Sequence, residues 1–201
     1  MKDFKDKVMF ITGAAHGFGR VIAEEGAKRG MKLALVDIDK PALNETYQIV
    51  VATGADDLLI NDAGIALPGR MWELPTRDWE WIMHVNVMSQ VYAMKRIIPI
   101  MMAQKTHGAI LNVASIAGLV DTPGMPAYHA SKFASVGMSE ATSYDLHLAG
   151  SDIEMHVMCP GFVQTDLYHT EEHRPKQYSD PSDPYYQSEA FLKGQQFAKY
   201  V

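Results

Sequence analysis

Apolar residues in this chain occur in two alternating patterns. Short, nearly continuous apolar runs at Lys7–Thr12, Lys32–Asp37, Asp57–Asn61, Ala109–Ala114 and Ile153–Cys159 read as strands buried on both faces. Between them lie longer stretches with apolar positions three and four apart, which read as helices at Gly17–Arg29, Pro41–Val51, Arg77–Gln104 and Ala127–Ala149. Strands alternating with helices indicate a parallel sheet joined by crossover helices. Gly30 and Gly108 stand where helix ends favour glycine, and Pro99 is expected to kink or end the third helix. The pattern changes after Pro160-Gly161. Positions 162–201 are polar, aromatic and proline-rich, with a turn signal at Ser179-Asp180-Pro181-Ser182-Asp183-Pro184.

Composition narrows the function classes. The chain has 201 residues, 47% of them apolar, enough for one sizeable core. With 18 basic and 24 acidic residues the net charge is -6, and no polybasic run is present, which argues against a nucleic-acid partner. The apolar stretch at Ile97–Met102 is too short to span a bilayer and follows Lys95 and Arg96, so no membrane partner is expected. The charged N-terminus lacks a signal-peptide core. The single cysteine, Cys159, has no internal disulfide partner, which fits a reducing, cytoplasmic compartment.

Two constellations carry chemistry. Gly13, Gly17 and Gly19 lie between the first strand and the first helix. Glycines permit a tight turn and a close backbone approach to phosphate, and the helix N-terminus adds free N–H donors and a favourable dipole. The same glycines could serve packing alone; the strand before them and the helix after them favour the phosphate reading. Asp37 ends the second strand, where a carboxylate can accept from the adenine-ribose hydroxyls and repel a 2′-phosphate. No Arg or Lys occupies positions 14–18, so NAD is favoured over NADP.

The second constellation moves a proton. Tyr128 and Lys132 are four apart and share a helix face. A free phenol, at a pKa of about 10, is too weak an acid to act as a base at neutral pH. A lysine cation at ~4 Å contributes ~4 kcal/mol at an effective dielectric of 20, enough to lower the phenol by roughly three units. Ser115 follows a strand, at the sheet edge where parallel sheets bind ligands, and its hydroxyl can hydrogen-bond a substrate carbonyl.

In order along the chain, Thr12-Gly13-x-x-x-Gly17-x-Gly19, Asn61-Asp62-Ala63-Gly64, Asn86, Ser115 with Tyr128 and Lys132, and Pro160-Gly161 with Thr165 resemble the motifs of the short-chain dehydrogenase/reductase family, from about Lys7 to Thr165. The resemblance implies an α/β fold: a Rossmann-type doubly wound parallel sheet, three layers, in a single domain, with 162–201 as a substrate-binding lid segment, mobile until ligand binds. It implies a catalytic tetrad of Asn86, Ser115, Tyr128 and Lys132. Cofactor contacts follow at Gly13, His16, Gly17, Phe18, Gly19, Asp37, Ile38, Asn61, Ala63, Gly64, Tyr128, Lys132, Pro160, Gly161, Val163 and Thr165. Tyr128 would exchange the hydroxyl proton, Ser115 orient the carbonyl, Lys132 tune the phenol and hold the nicotinamide ribose, and Asn86 support a water relay. A homotetramer or homodimer joined through the helices at Arg77–Gln104 and Ala127–Ala149 is implied as well.

The expected reaction is hydride transfer between NAD(H) and a hydrophobic secondary alcohol or ketone, hydroxysteroids being one member of that class. Apolar residues after Ser115 and Pro160, namely Ile116, Leu119, Val120, Met125, Phe162, Leu167 and Tyr168, are expected to wall the pocket. The alternatives are an NADP-dependent ketone reductase and a non-catalytic dinucleotide-binding regulatory protein. Departures from the family pattern are Asp62 in place of a second asparagine and only 23 residues between Asp37 and Asn61, where the family has a further strand and helix. Either the chain is shortened or residues of a longer one are omitted; omission is expected, with a spatial break between about Val51 and Leu58. His169 and His173, at i and i+4, match zinc spacing but lack a third ligand, so no metal is expected and the segment reads as a polar loop.

Overall fold

A computed structural model describes residues 4–5, 7–37, 57–105, 107–163 and 166–198. Five parallel strands form one sheet: β1 (Val8–Thr12), β2 (Lys32–Val36), β3 (Asp57–Asn61), β4 (Gly108–Val113) and β5 (Ile153–Met158), in the order β2-β1-β3-β4-β5. Alternation along each strand sorts side chains onto two faces. Met9, Ile11, Ile60 and Val113 pack with Ala23 and Ile22 of helix α1 (Gly17–Lys28). Phe10, Leu59, Ile110 and Ile153 pack on the opposite face against Met94, Met101 and Leu146. Those three come from α3 (Ser89–Gln104) and α4 (Pro126–Leu148). Helices on both faces of a parallel sheet make the expected three-layer, doubly wound arrangement.

The expected third helix divides. Helix α2 (Thr76–Met83) runs through a π-helical turn, His84–Met88, into α3. Pro99 neither ends nor marks the irregularity: α3 continues to Gln104. One missing backbone donor is tolerated where Met94 and Met101 bury the helix against the sheet. Gly108 belongs to β4 rather than to a helix end; Lys105, at φ 55°, makes the left-handed exit from α3. Gly30, at φ 76°, follows α1 as expected. The helix expected at Pro41–Val51 and the break expected beyond it fall within positions 38–56, outside the described residues.

Past β5 the chain is ordered into 3-10 turns at Asp166–His173, Lys176–Tyr178 and Pro184–Gln187, then helix α5 (Glu189–Ala198). Side-chain contacts tie this segment to α2 and to the loop around Pro68. Arg174 pairs with Asp78 of α2 (Nη1 to Oδ1, 2.6 Å) and with Glu171 (2.7 Å), and its guanidinium lies 4.5 Å from the Trp81 ring centroid. Tyr186 donates to the same Asp78 oxygen at 2.7 Å, and Tyr185 donates to the Pro68 carbonyl at 3.0 Å. Asp78 is only 1% exposed, so its charge depends on these partners.

Candidate active site

The strand order reverses between β1 and β3, and a cavity of about 810 Å³ opens at their C-terminal ends. Gly13, at φ 74°, turns the chain out of β1, and a Cβ there would stand 2.8 Å from the Ala63 nitrogen. Gly17, at φ 50°, starts α1. Gly19 packs so closely on the Gly13 carbonyl that any Cβ would collide with it. The first turn of α1 thereby lies against the end of β3, with Gly17 and Phe18 lining the cavity. Asp37, at the mouth of β2, accepts from the Ala15 N–H at 3.0 Å and lines the same cavity. Glycines in close contact, a helix N-terminus and a carboxylate at this end of the sheet fit a dinucleotide.

Asp62 is the unforeseen member of this cradle. Its carboxylate accepts the Gly19 N–H at 2.7 Å, and its own N–H reaches the Thr12 hydroxyl at 3.1 Å. Burial pushes its carboxyl up to about 6; the Gly19 N–H and the Lys132 ammonium pull down, and Asp37 adds a smaller upward push.

On the other side of the cavity, Ser115 caps the short 3-10 turn Ile116–Gly118, its hydroxyl accepting from the Ala117 N–H at 3.2 Å. The same hydroxyl lies close enough to the Tyr128 phenol to pull it down, and both residues line the cavity. Lys132 lies one helical turn past Tyr128 on α4 and donates to the Val113 carbonyl at 3.2 Å. Its ammonium stands 5.6 Å from the Tyr128 ring centroid, over the ring. It is 5% exposed, and burial pushes it down to about 8 against the opposing pull of Asp62 and Cys159.

The electrostatics depart from expectation. Burial raises the Tyr128 phenol, and the neighbouring Ser115 hydroxyl pulls it down. The Lys132 ammonium stands over the ring and donates to the Val113 carbonyl, and burial weakens its own charged form. Asn86, in the π turn and fully buried, spends its side chain on structure. Its Oδ1 accepts from the Ile65 N–H (2.8 Å), and its Nδ2 donates to the Ile65 carbonyl and the Ser131 hydroxyl (both 2.9 Å). It therefore holds the loop after Gly64 against α4. A Cβ on Gly64 would stand 3.5 Å from Lys132 Nζ and 3.6 Å from Asn86 Oδ1, which places both side chains around that glycine.

Gly13, His16, Gly17, Phe18, Asp37, Ala63, Gly64, Ser115, Tyr128, Lys132, Pro160, Gly161 and Val163 all line the one cavity. Asn61 does not: it is 1% exposed and donates to Asn112 across β3 and β4 at 2.7 Å, so it ties strands together rather than facing a ligand. Gly19 is buried behind the turn. Ile38 and Thr165 lie outside the described residues. Of the expected apolar wall, Leu167 lines the cavity, while Ile116, Leu119, Val120 and Phe162 are exposed; the side chain of Tyr168 is outside the description. His129 is structural, as expected, bonding the Ala117 carbonyl at 2.9 Å and the Thr122 N–H at 3.0 Å.

Sequence reasoning missed Trp81, His84, Thr170 and His173, all of which line the cavity. His173 approaches His16, with ring centroids 6.3 Å apart. No local pattern announces that meeting, because the Arg174 anchorage creates it. Trp81 carried a usable signal: its i+3 spacing from Asp78 places both on one face of α2.

A family model for short chain dehydrogenase matches residues 46–176. A Lactiplantibacillus plantarum protein described as a CLA biosynthesis dehydrogenase/reductase is 72% identical, covering 100% of this chain and 80% of its own length. That alignment runs over 229 positions against the 201 residues here, so the relative carries segments this chain lacks. Mouse estradiol 17-beta-dehydrogenase 11 is 31% identical over 82% of this chain and 64% of its own length. Among solved structures, a short chain dehydrogenase/reductase from Burkholderia phymatum in complex with NAD superposes with a TM-score of 0.92 at 35% identity, covering 100% of this chain and 80% of that one. A Brucella melitensis 3-ketoacyl-(acyl-carrier-protein) reductase complexed with NADH gives a TM-score of 0.76 at 28% identity, over 84% and 81% of the two chains.

Proposed function

This chain belongs to the short-chain dehydrogenase family, and from that premise we propose that it is an NAD-dependent oxidoreductase interconverting a hydrophobic secondary alcohol and its ketone. One observation carries the reading: Ser115 and Tyr128 line the same cavity as the first turn of α1. A substrate oxygen placed between two hydroxyls can be oriented by one and exchange a proton with the other.

The nicotinamide ring, when bound, supplies or accepts the hydride. The chain's own residues do the rest. The α1 N-terminus and the glycine turn hold the diphosphate, and Asp37 accepts from the adenine ribose. Ser115 donates to the substrate oxygen. Tyr128 protonates that oxygen in ketone reduction and takes the proton in alcohol oxidation. Lys132, buried beneath the ring, supplies a positive charge and a donor toward the nicotinamide ribose. Asn86 sets the loop after Gly64 through its bonds to Ile65 and keeps the π turn in contact with α4.

The substrate class is read from the cavity lining, which includes Ile65, Trp81, Val85 and Leu167. Apolar walls beside a polar reacting centre suit a lipophilic ketone. Three names reported above fit this class: CLA biosynthesis, estradiol and 3-ketoacyl-(acyl-carrier-protein). Positions 162–201 then form the substrate-side wall, and the exposed apolar faces of α3 and α4 join copies of the chain into a homodimer or homotetramer. A panel of lipophilic secondary alcohols and ketones followed by NADH absorbance tests the reading. Turnover with NADH that exceeds turnover with NADPH is expected; a strong NADPH preference would overturn the role given to Asp37.

A further inference from the structure

Helix α1 takes no cap from its own N-cap residue, since the His16 side chain makes no capping hydrogen bond there. Such a start leaves the first-turn N–H groups without helical partners. One of them, on Gly19, is met from 43 residues away by the Asp62 carboxylate at 2.7 Å. The missing side chain of Gly19 is what admits it: a Cβ there would stand 3.0 Å from the same carboxylate oxygen. Gly17 and Phe18, in the same turn, line the cavity.

We propose that Asp62 is a positioning residue that caps the cofactor helix from the neighbouring strand, and that its charge is coupled to diphosphate binding, so that the dinucleotide binds more tightly when Asp62 is protonated. The inference rests on the dinucleotide reading above and concerns a step before any substrate is present. Two anions share one helix N-terminus: each is favoured by the dipole, and each repels the other. A neutral carboxyl still accepts the Gly19 N–H through its carbonyl oxygen, so the cap outlasts the charge.

The groups around Asp62 fix the sign. Lys132 on α4 attracts the ionised form, Asp37 at the end of β2 repels it, and the Gly19 N–H on α1 stabilises it; burial dominates and raises the carboxyl to about 6. His16 lines the same cavity just ahead of α1. Bringing the diphosphate to the helix adds negative charge on the Asp62 side and favours its protonation further. An asparagine here would keep the cap and lose the coupling; this chain, with its departure from the family pattern at position 62, has the coupling.

NADH affinity, read by nicotinamide fluorescence without substrate between pH 8 and pH 5.5, tests this. Wild type should tighten about fivefold as the pH falls through 6. Asp62→Asn should bind at pH 8 as tightly as wild type does at pH 5.5, with a flat profile. Asp62→Ala should bind weakly at every pH and melt earlier, because the Gly19 N–H loses its acceptor. His16→Gln should keep the slope. An Asp62→Asn slope equal to that of wild type, or a slope abolished by His16→Gln, overturns the coupling. Equal affinity and melting temperature for the Ala and Asn variants overturns the cap. Wild type that binds no NADH at any pH overturns the dinucleotide reading and this inference with it, whereas binding with a flat wild-type profile overturns this inference alone.

Discussion

At the scale of single residues, the proton chemistry depends on Tyr128 more than on any other group. Removing its hydroxyl leaves the ring packed and the cavity intact, so Tyr128→Phe should bind NADH as wild type does and lose about a thousandfold in turnover. The phenol is raised by burial, which sets the pH dependence. Alcohol oxidation needs the deprotonated phenol and should rise with pH toward and beyond the ordinary phenol value of about 10; ketone reduction needs the protonated form and should fall only as that value is passed. Initial rates in both directions on either side of that value check the sign. Asp62 offers a stability test of the opposite kind. Its folded-state value of about 6 lies above the ordinary 3.8, so the native state holds the extra proton between those values. Its contribution is therefore fully present below pH 3.8 and lost as pH rises through 6. Asp62→Asn should accordingly melt higher than wild type at pH 8, by about 3 kcal/mol in stability, with the gap closing on acidification.

At the scale of elements, the instructive piece is the chain beyond β5. Its polar, proline-rich composition predicts a loop, and much of it is 3-10 turn rather than regular helix or strand. What the composition conceals is the Arg174 clamp on α2, in which a buried carboxylate, a guanidinium, a phenol and an indole satisfy one another. Removing one partner leaves a buried charge unpaired, a loss of about 3–5 kcal/mol. Arg174→Met should loosen the substrate-side wall, raise KM for the alcohol or ketone severalfold, and leave NADH affinity nearly unchanged. Limited proteolysis at positions 174–187 and a KM-against-kcat comparison check this. Equal loss of NADH binding would show that the clamp supports the whole fold instead. The π turn at His84–Met88 makes a related point: it breaks the regular ladder where Asn86 must reach both Ile65 and Ser131. Pro99, the obvious breaker by sequence, removes one donor yet leaves α3 continuous to Gln104.

At the scale of the whole molecule, the outer faces of α3 and α4 leave large apolar side chains exposed. Tyr144 and Leu148, four apart on α4, are 72% and 83% exposed, with Phe133 at 45% on the same helix. An assembly through these helices would bury them. A Tyr144→Glu, Leu148→Glu double variant should sediment as a smaller species than wild type while retaining NADH binding. An unchanged sedimentation coefficient would place the interface elsewhere. Among the described residues, no helix is long and apolar enough to cross a membrane.

Strand and helix periods, the glycine turn, and the Ser115, Tyr128 and Lys132 set are local in sequence, because each depends on spacing within one or two elements. They sufficed to predict the parallel sheet and to bring the glycine turn, Ser115, Tyr128 and Lys132 to one cavity; the doubly wound order came from the family resemblance. Tertiary structure alone decided the rest. It turned Asn61 away from the cavity toward Asn112, set Lys132 over the Tyr128 ring, and brought Asp62 to Gly19 and His173 to His16. These outcomes depend on which groups burial strips of water and which distant partners then satisfy them, and neither is written in the spacing of residues along the chain.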